Sequence, residues 1–300
     1  MALTVEQVLA ITKATEAYDG VAPLDEAALL TLRNRPQDAT IWGDVRGFGM
    51  LVSTGSTTGE DSTTGGDSTT GGDSATGGEL SLVVLTQHRG TGLGRQLLLR
   101  APDLPAGTTA WSHGDNPAAA RLAAGQGWER TRELWVMRRP VADLPPAPAI
   151  PEGIVVRGFE PGDEAELLRV NAAAFAHHPE QGGMTAADLA ERMAESWFDP
   201  SGLIMAWESS TAGGRLLAFH WTKRHSESEG EVYVVGVDPA AQGRGLGKLV
   251  TLLGLNHLAD AGIDAIHLYV EGENTPAVRL YEGLGFTRAA ADTHVQYTRR

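Results

Sequence analysis

Apolar positions along the chain alternate between two periods, and the order in which the periods change is nearly the same in both halves. Helical spacing over 27–33, 165–175 and 186–197 predicts helices, with Asp163 and Thr185 as N-caps of the last two. Short apolar runs over 47–53, 80–85, 231–238 and 266–270 predict strands. Each half reads helix, strands, glycine-rich turn, helix, strand, helix, final strand. The expected fold class is therefore α/β, two tandem domains, each a mixed central sheet flanked by helices.

The run from Glu231 to Asp238 passes through Pro239 into Gln242-Gly243-Arg244-Gly245-Leu246-Gly247-Lys248. A strand that ends in closely spaced glycines before a helix lets the backbone approach a ligand without Cβ atoms in the way. The helix adds unpaired first-turn N–H groups and its positive dipole end, so the turn suits a phosphate or pyrophosphate. A phosphorylated cofactor is expected. The order is neither the dinucleotide G-x-G-x-x-G nor a P-loop, and a ligand-free tight turn is the bland alternative. Downstream, Asn274-Thr275-Pro276-Ala277-Val278-Arg279 opens a helix that a glycine closes at Gly285, before Phe286.

The first half repeats this text. Arg89-Gly90-Thr91-Gly92-Leu93-Gly94 lines up with Gln242 to Gly247, and Asn116 to Trp128 lines up with Asn274 to Phe286. We divide the chain at a proline-rich stretch into a first domain over 1–139, a linker over 140–152 and a second domain over 153–300. Within the first domain, 55–79 carries three near-repeats of Asp-Ser-Thr-Thr-Gly-Gly with no large apolar residue, and is expected to be a disordered loop insertion.

Composition then removes whole classes of function. A net charge of −14 and no basic cluster argue against nucleic acid as partner. With no cysteine there is no disulfide, thiolate nucleophile or Cys-ligated zinc, and the nine histidines show no H-E-x-x-H spacing, so no metal is expected. No signal peptide and no apolar run of about eighteen residues are apparent, which places the protein in the cytoplasm, without a membrane; a monomer is expected.

The two signatures resemble the acetyl-CoA-binding motifs of the GCN5-related N-acetyltransferases. Acetyl transfer from a thioester to an amine needs a base for the ammonium proton, a donor for the carbonyl oxygen and a proton for the leaving thiolate. Glu231 starts the strand that leads to the turn and is the candidate base. Tyr281 stands where this superfamily keeps its thiol-protonating tyrosine. The backbone N–H of Gly236 or Val237 is the candidate carbonyl donor. In the first half Gly78 and Ala123 occupy the places of Glu231 and Tyr281, so one active half and one structural or cofactor-holding half are expected.

Longer segments, among them Asp19 to Glu26, Ala173 to Gly183, Trp197 to Ile204, Phe219 to Lys223 and Gly230 to Pro239, resemble one tandem family, mycothiol synthase. That resemblance implies transfer from acetyl-CoA to the cysteinyl amine of a cysteine–glucosamine–inositol conjugate, the final step of mycothiol biosynthesis. It places acceptor contacts on Glu26, Glu180, Lys223, Glu231 and Tyr269, with Glu26 reaching across from the first half. Acetyl-CoA contacts fall on Val235, Gly236, Val237, Gln242 to Lys248 and Asn274 to Arg279, with a second set on Leu82, Val83, Val84 and Arg89 to Gly94. Two other functions fit the same motifs: an acetyltransferase for a different amine, such as an aminoglycoside or a protein N-terminus, and a non-catalytic acyl-CoA sensor.

Overall fold

The computed structural model describes residues 3–53, 77–209, 214–289 and 292–300, the side chains of 179 and 180 excepted. The chain forms two compact units, residues 1–134 with 291–300, and residues 135–290. This grouping differs from the sequence boundaries at both final strands. The last strand of the chain, β11 (Thr293–Arg299), pairs with β4 (Thr109–Ser112) in the first unit, from Val295 opposite Ser112 to Thr298 opposite Thr109. The last strand of the first half, β5 (Trp128–Pro140), is 13 residues long, and its second part counts with the second unit.

In the first unit, α1 (Val5–Asp19) and α2 (Glu26–Asn34) precede β1 (Ala39–Asp44), β2 (Gly47–Ser53) and β3 (Gly78–Val84). The expectation for 55–79 lies outside the described residues except at its end, where β3 already begins at Gly78. After β3 come α3 (Leu93–Leu99), β4, α4 (Pro117–Ala124) and β5. The strand order is β1-β2-β3-β4-β11-β5.

The second unit begins with β6 (Ile154–Arg157), α5 (Glu164–Ala174), α6 (Pro179–Gly182) and α7 (Ala186–Met193). It continues with β7 (Leu203–Glu208), β8 (Leu216–Arg224), β9 (Glu229–Val237), α8 (Leu246–Asp260), β10 (Ala265–Glu271) and α9 (Thr275–Gly283). Its strand order is β5-β10-β9-β8-β7-β6. One face packs on α8 and α9 through Val232, Leu255, Ile266, Leu268 and Tyr281. The other packs on α5 and α7 through Leu167, Leu189, Phe219, Trp221 and Val234.

Two local readings change. Thr185 caps α7 as expected, its hydroxyl accepting from Asp188 N–H, but Asp163 makes no side-chain cap on α5. Its carboxylate instead takes the Arg157 guanidinium at 2.6 and 2.8 Å and the Glu160 N–H at 2.8 Å, so a stronger charged partner removes it from capping. Helix α7 stops at Met193, not 197, because Trp197 turns onto Trp221 and Tyr233, with ring centroids 5.8 and 5.1 Å apart.

Candidate active site

The site of the second unit starts from a flaw in the pairing of β9. Between Trp221 opposite Val234 and Thr222 opposite Val232 the register shifts by one residue, leaving Tyr233 as a bulge. On its other edge β9 runs parallel to β10 only from Glu229 opposite Ala265 to Val232 opposite Leu268. Beyond Val232 no pairing with β10 is present, so the two strands part and leave a cleft in the sheet.

The backbone groups that face this cleft follow from the ladder. Asp238 N–H donates to Leu217 carbonyl at 2.8 Å, which makes Val237 and Ala218 a pair that do not bond each other directly. Alternation then turns the N–H groups of Val235 and Val237 away from β8 and toward the cleft. Gly236 points its N–H at Phe219 on β8, so of the two candidate carbonyl donors the ladder favours Val237, joined by Val235. Gly236 serves a different purpose: a Cβ there would run into the Phe219 ring.

The turn after β9 is built as a cradle. Gly243 and Gly245 have φ of 76° and 75°, the left-handed region that a residue with a Cβ rarely adopts, and Gly245 is the N-cap of α8 with no side-chain partner for the helix donors. Leu246 is buried against Leu249 and Val250 and anchors the helix, so only its backbone is available to a ligand. Gly247 brings the helix against β9, where a Cβ would stand 3.4 Å from Val237 Cγ2. Gln242, Arg244 and Lys248 are exposed. Asp238 holds the end of β9 in place: its buried carboxylate takes Arg169 at 2.6 Å, Arg215 at 2.8 Å and Ala240 N–H at 2.9 Å. Burial alone would raise its pKa, yet these three donors hold it below the usual carboxylate range.

The two candidate proton-transfer residues sit on opposite faces of the sheet. Val232 packs toward α8, so its neighbour Glu231 points to the other face, together with His267 and Tyr269 of β10. Glu231 is 6 % exposed, and its Oε2 lies 2.6 Å from His225 Nε2. Because an ionised carboxylate only accepts, His225 is the donor. Lys223, directly across β8 from Glu231, holds its ammonium over the Trp197 and Tyr233 rings at 4.5 and 4.9 Å. Tyr269 is 43 % exposed, and desolvation followed by the nearby Glu231 charge pushes its pKa up to about 12. Burial keeps His267 below the ordinary imidazole value.

On the α8 and α9 face, Tyr281 is buried, its ring 5.8 Å from Phe286, and burial pushes its pKa up to about 12. It therefore remains protonated at neutral pH. Asn274 caps α9 by accepting from Ala277 N–H, with Thr275, Pro276 and Arg279 exposed beside it. Val278 is buried in the core and presents no side chain to a ligand.

The first unit repeats the cradle around a formed cavity. Leu85 N–H donates to Arg46 carbonyl, which by the same alternation turns the N–H groups of Leu82 and Val84 away from β2. Strand β3 pairs with β4 only at Glu79 and Thr109. A cavity of about 630 Å³ opens there, lined by Leu82, Val83, Val84, Arg89, Gly90, Gly92, Leu93 and Gly94 along with Ser112, His113 and Ala123. Thr91 is not in the lining and donates its hydroxyl to His88 carbonyl. Arg89 is tied to both carboxylate oxygens of Asp19 at 2.8 and 2.6 Å and donates to Val84 carbonyl, so its charge is already shared.

The remaining acceptor candidates are dispersed. Glu26 is the first residue of α2 in the first unit, where a first-turn acid also favours the helix. Glu180 lies in α6, and its side chain is outside the described residues. His225, His267 and the aromatic seat of Lys223 went unnoticed in the sequence because their partners come from three strands and a loop.

Residues 172–286, all in the second unit, match the profile of the acetyltransferase (GNAT) family. Over 96 % of its length the chain is 51 % identical to a mycothiol acetyltransferase of a Nocardioides species, covering 95 % of that protein. The chain belongs to the mycothiol acetyltransferase family. A second member, from Catenulispora acidiphila, is 47 % identical over 97 % of the chain and 95 % of its own length. Among solved structures, a tandem GNAT protein from the clavulanic acid biosynthesis pathway matches 98 % of this chain and 94 % of its own, with a TM-score of 0.67 and 19 % identity. At that identity the likeness shows the fold, a tandem of GNAT domains. The protein is thus an acetyltransferase of a superfamily whose acetyl donor is acetyl-CoA. Among the described residues no helix is long and apolar enough to cross a membrane.

Proposed function

We propose that the second unit transfers acetyl from acetyl-CoA to the cysteinyl amine of a cysteine–glucosamine–inositol conjugate, in the cytoplasm and as a monomer. Acetyl transfer in mycothiol biosynthesis is the activity of the family, and the observation that carries the reading is the placement of Glu231 and Tyr281 on opposite faces of the parted strands. Acetyl-CoA lies on the α8 and α9 face, its pyrophosphate against the Gly243 to Gly247 backbone and its thioester in the cleft. The amine comes from the other face.

Glu231 takes the ammonium proton, through water, and the free amine nitrogen attacks the thioester carbonyl carbon. The N–H groups of Val235 and Val237 hold the carbonyl oxygen as it becomes an oxyanion. The C–S bond then breaks and Tyr281 protonates the departing sulfur. Burial that raises the tyrosine pKa also raises that of a thiol in the same apolar surroundings, which keeps the transfer feasible. Lys223, Tyr269 and Glu180 contact the polar acceptor, while for Glu26 the support is the family resemblance alone. In the first unit, the cavity and the turn at Gly90 to Gly94 support binding of a second acetyl-CoA without chemistry.

The test is product formation followed by mass spectrometry, since the acceptor thiol would confound a thiol-release assay. The reading expects cysteinyl-glucosaminyl-inositol to give the highest kcat/KM among amines that include an aminoglycoside and a peptide N-terminus. Faster acetylation of either of those would overturn the assignment, and no acetylation of any amine would favour a sensor.

A further inference from the structure

Three side chains from three adjacent chain segments meet at Glu231. His225 follows the end of β8, Glu231 is on β9 and His267 is on β10, and their ligating atoms all lie within 4.8 Å of one another. His225 Nε2 and His267 Nε2 stand 2.6 and 3.9 Å from Glu231 Oε2. Donors around a tetrahedral zinc ion, each about 2.1 Å from the metal, are about 3.4 Å apart, so these separations straddle what a shared ion needs.

The outer surroundings point the same way. His267 is 6 % exposed and its Nδ1 is buried with no hydrogen-bond partner, although it lies 3.2 Å from Glu229 Oε1. The contact is close in distance but off the line of a hydrogen bond. A small ring rotation that brings Nε2 onto a metal would let Nδ1–H donate to Glu229, the carboxylate–histidine–metal arrangement that fixes a ligating imidazole. Glu229 is held in turn by Arg138 at 3.3 Å.

We propose that His225, Glu231 and His267 form a binding site for a divalent transition-metal ion of the zinc class, and that the bound ion inhibits the enzyme reversibly by occupying the carboxylate that deprotonates the amine. Two imidazoles and one carboxylate, with open positions left for solvent, suit zinc or cobalt better than magnesium or calcium, which prefer all-oxygen sites. The inhibitory half of the proposal rests on Glu231 being the base; the binding half does not.

The two halves are therefore measured separately on the full-length protein. Co²⁺ is titrated into chelator-treated protein and its visible d–d absorption is read, with Zn²⁺ as competitor. One ion per chain is expected, and His267→Gln should abolish it. Glu229→Gln, which acts on the metal only through the His267 ring, should weaken binding about 10- to 100-fold. His113→Asn should leave it unchanged, since the other close histidine pair, His113 and His294 with Nδ1 atoms 3.3 Å apart, lies in the first unit. Binding that survives His267→Gln, or is lost with His113→Asn, overturns the site. In the acetylation assay, Zn²⁺ at the concentration that fills the site should suppress turnover of the wild type, EDTA should restore it, and His267→Gln should be resistant. A filled site with undiminished turnover overturns the inhibition. An enzyme inactive toward every amine defeats the reading of function while the cobalt titration still decides the site.

Discussion

At the turn after β3, Gly90 and Gly92 have φ of 72° and 84°; at the turn after β9, Gly243 and Gly245 have 76° and 75°. In both units the strand before the turn loses its parallel neighbour early and turns alternate N–H groups toward the gap. In both, an asparagine, Asn116 or Asn274, caps the helix beyond the next strand. The same backbone turn thus occurs twice. What differs is side chains: Ala123 in the first unit where the second has Tyr281, and a seven-residue helix α3 against a fifteen-residue α8. The Glu231 position corrects the sequence alignment: the bulge at Tyr233 adds a residue to β9, so by register Glu79, opposite Val52 and Thr109, and not Gly78, matches Glu231, opposite Lys223 and His267. On the proposed reading, the glycines and ladder register hold the cofactor, and the tyrosine that only the second unit has separates the reacting cradle from the other.

The sharpest way to break this comparison is to block each cradle in turn. Gly245→Val with Gly247→Val puts a branched side chain at a left-handed φ and another against Val237, and should lower turnover by at least about 10²- to 10³-fold, as loss of preorganised backbone donors does. The same changes at Gly92 and Gly94 should leave kcat within about threefold while abolishing any second equivalent of bound CoA in a calorimetric titration. Equal loss of kcat in the two folded variants would give the first unit a part in catalysis.

Next in size is Glu231→Gln, which keeps shape and removes the base. Turnover should fall about 10²-fold or more at neutral pH with the KM for acetyl-CoA unchanged. Steady-state kinetics from pH 6 to 9 read this, and a rate near wild type across that range removes Glu231 from the mechanism. Tyr281→Phe should cost about 10²-fold in kcat, again without effect on acetyl-CoA binding. It also changes stability at high pH. Because burial raises the Tyr281 pKa from about 10 to about 12, its contribution is complete below pH 10 and is lost as pH rises through 12. The phenylalanine variant should therefore show a shallower fall of melting temperature between pH 10 and 12 than the wild type.

How much of this was legible beforehand follows from what sequence spacing can carry. Local geometry was readable: the glycine positions, the Asn274 cap and the strand over Gly47–Ser53 are all set within a few residues of chain. So was the internal duplication, because it compares the chain with itself. Long-range competition was not readable. Asp163 sits where a cap belongs, and only the fold shows that Arg157 claims it. The exchange of β5 and β11 between units depends on which edge each strand meets, for which the chain offers no local signal. The bulge at Tyr233 and the early end of the β9 and β10 pairing, which together open the cleft, likewise belong to register.

The smallest expected effect sharpens the comparison through stability at low pH, because each unit contains a histidine whose pKa burial lowers to about 4. His220 is fully buried on β8, its Nδ1 3.1 Å from Val250 carbonyl and its ring against Gly254, where a Cβ would collide with it. Burial lowers its pKa to about 4. His113, in the cavity of the first unit, is likewise lowered to about 4 by burial. Each must bind a proton on unfolding at any pH between about 4 and 6.5, so each contributes stability that is present above 6.5 and is lost as pH falls toward 4. For His220 the loss is on the order of 3 kcal/mol over that window. His113 is only partly shielded, and its share is smaller because solvent screens it. His220→Asn should therefore lower stability at neutral pH yet flatten the fall in melting temperature between pH 6.5 and 4, while His113→Asn flattens it less. Scanning calorimetry of the two variants across that range decides between them: an unchanged acid slope in His220→Asn would mean that the acid sensitivity of the second unit comes from its carboxylate network around Asp238 instead.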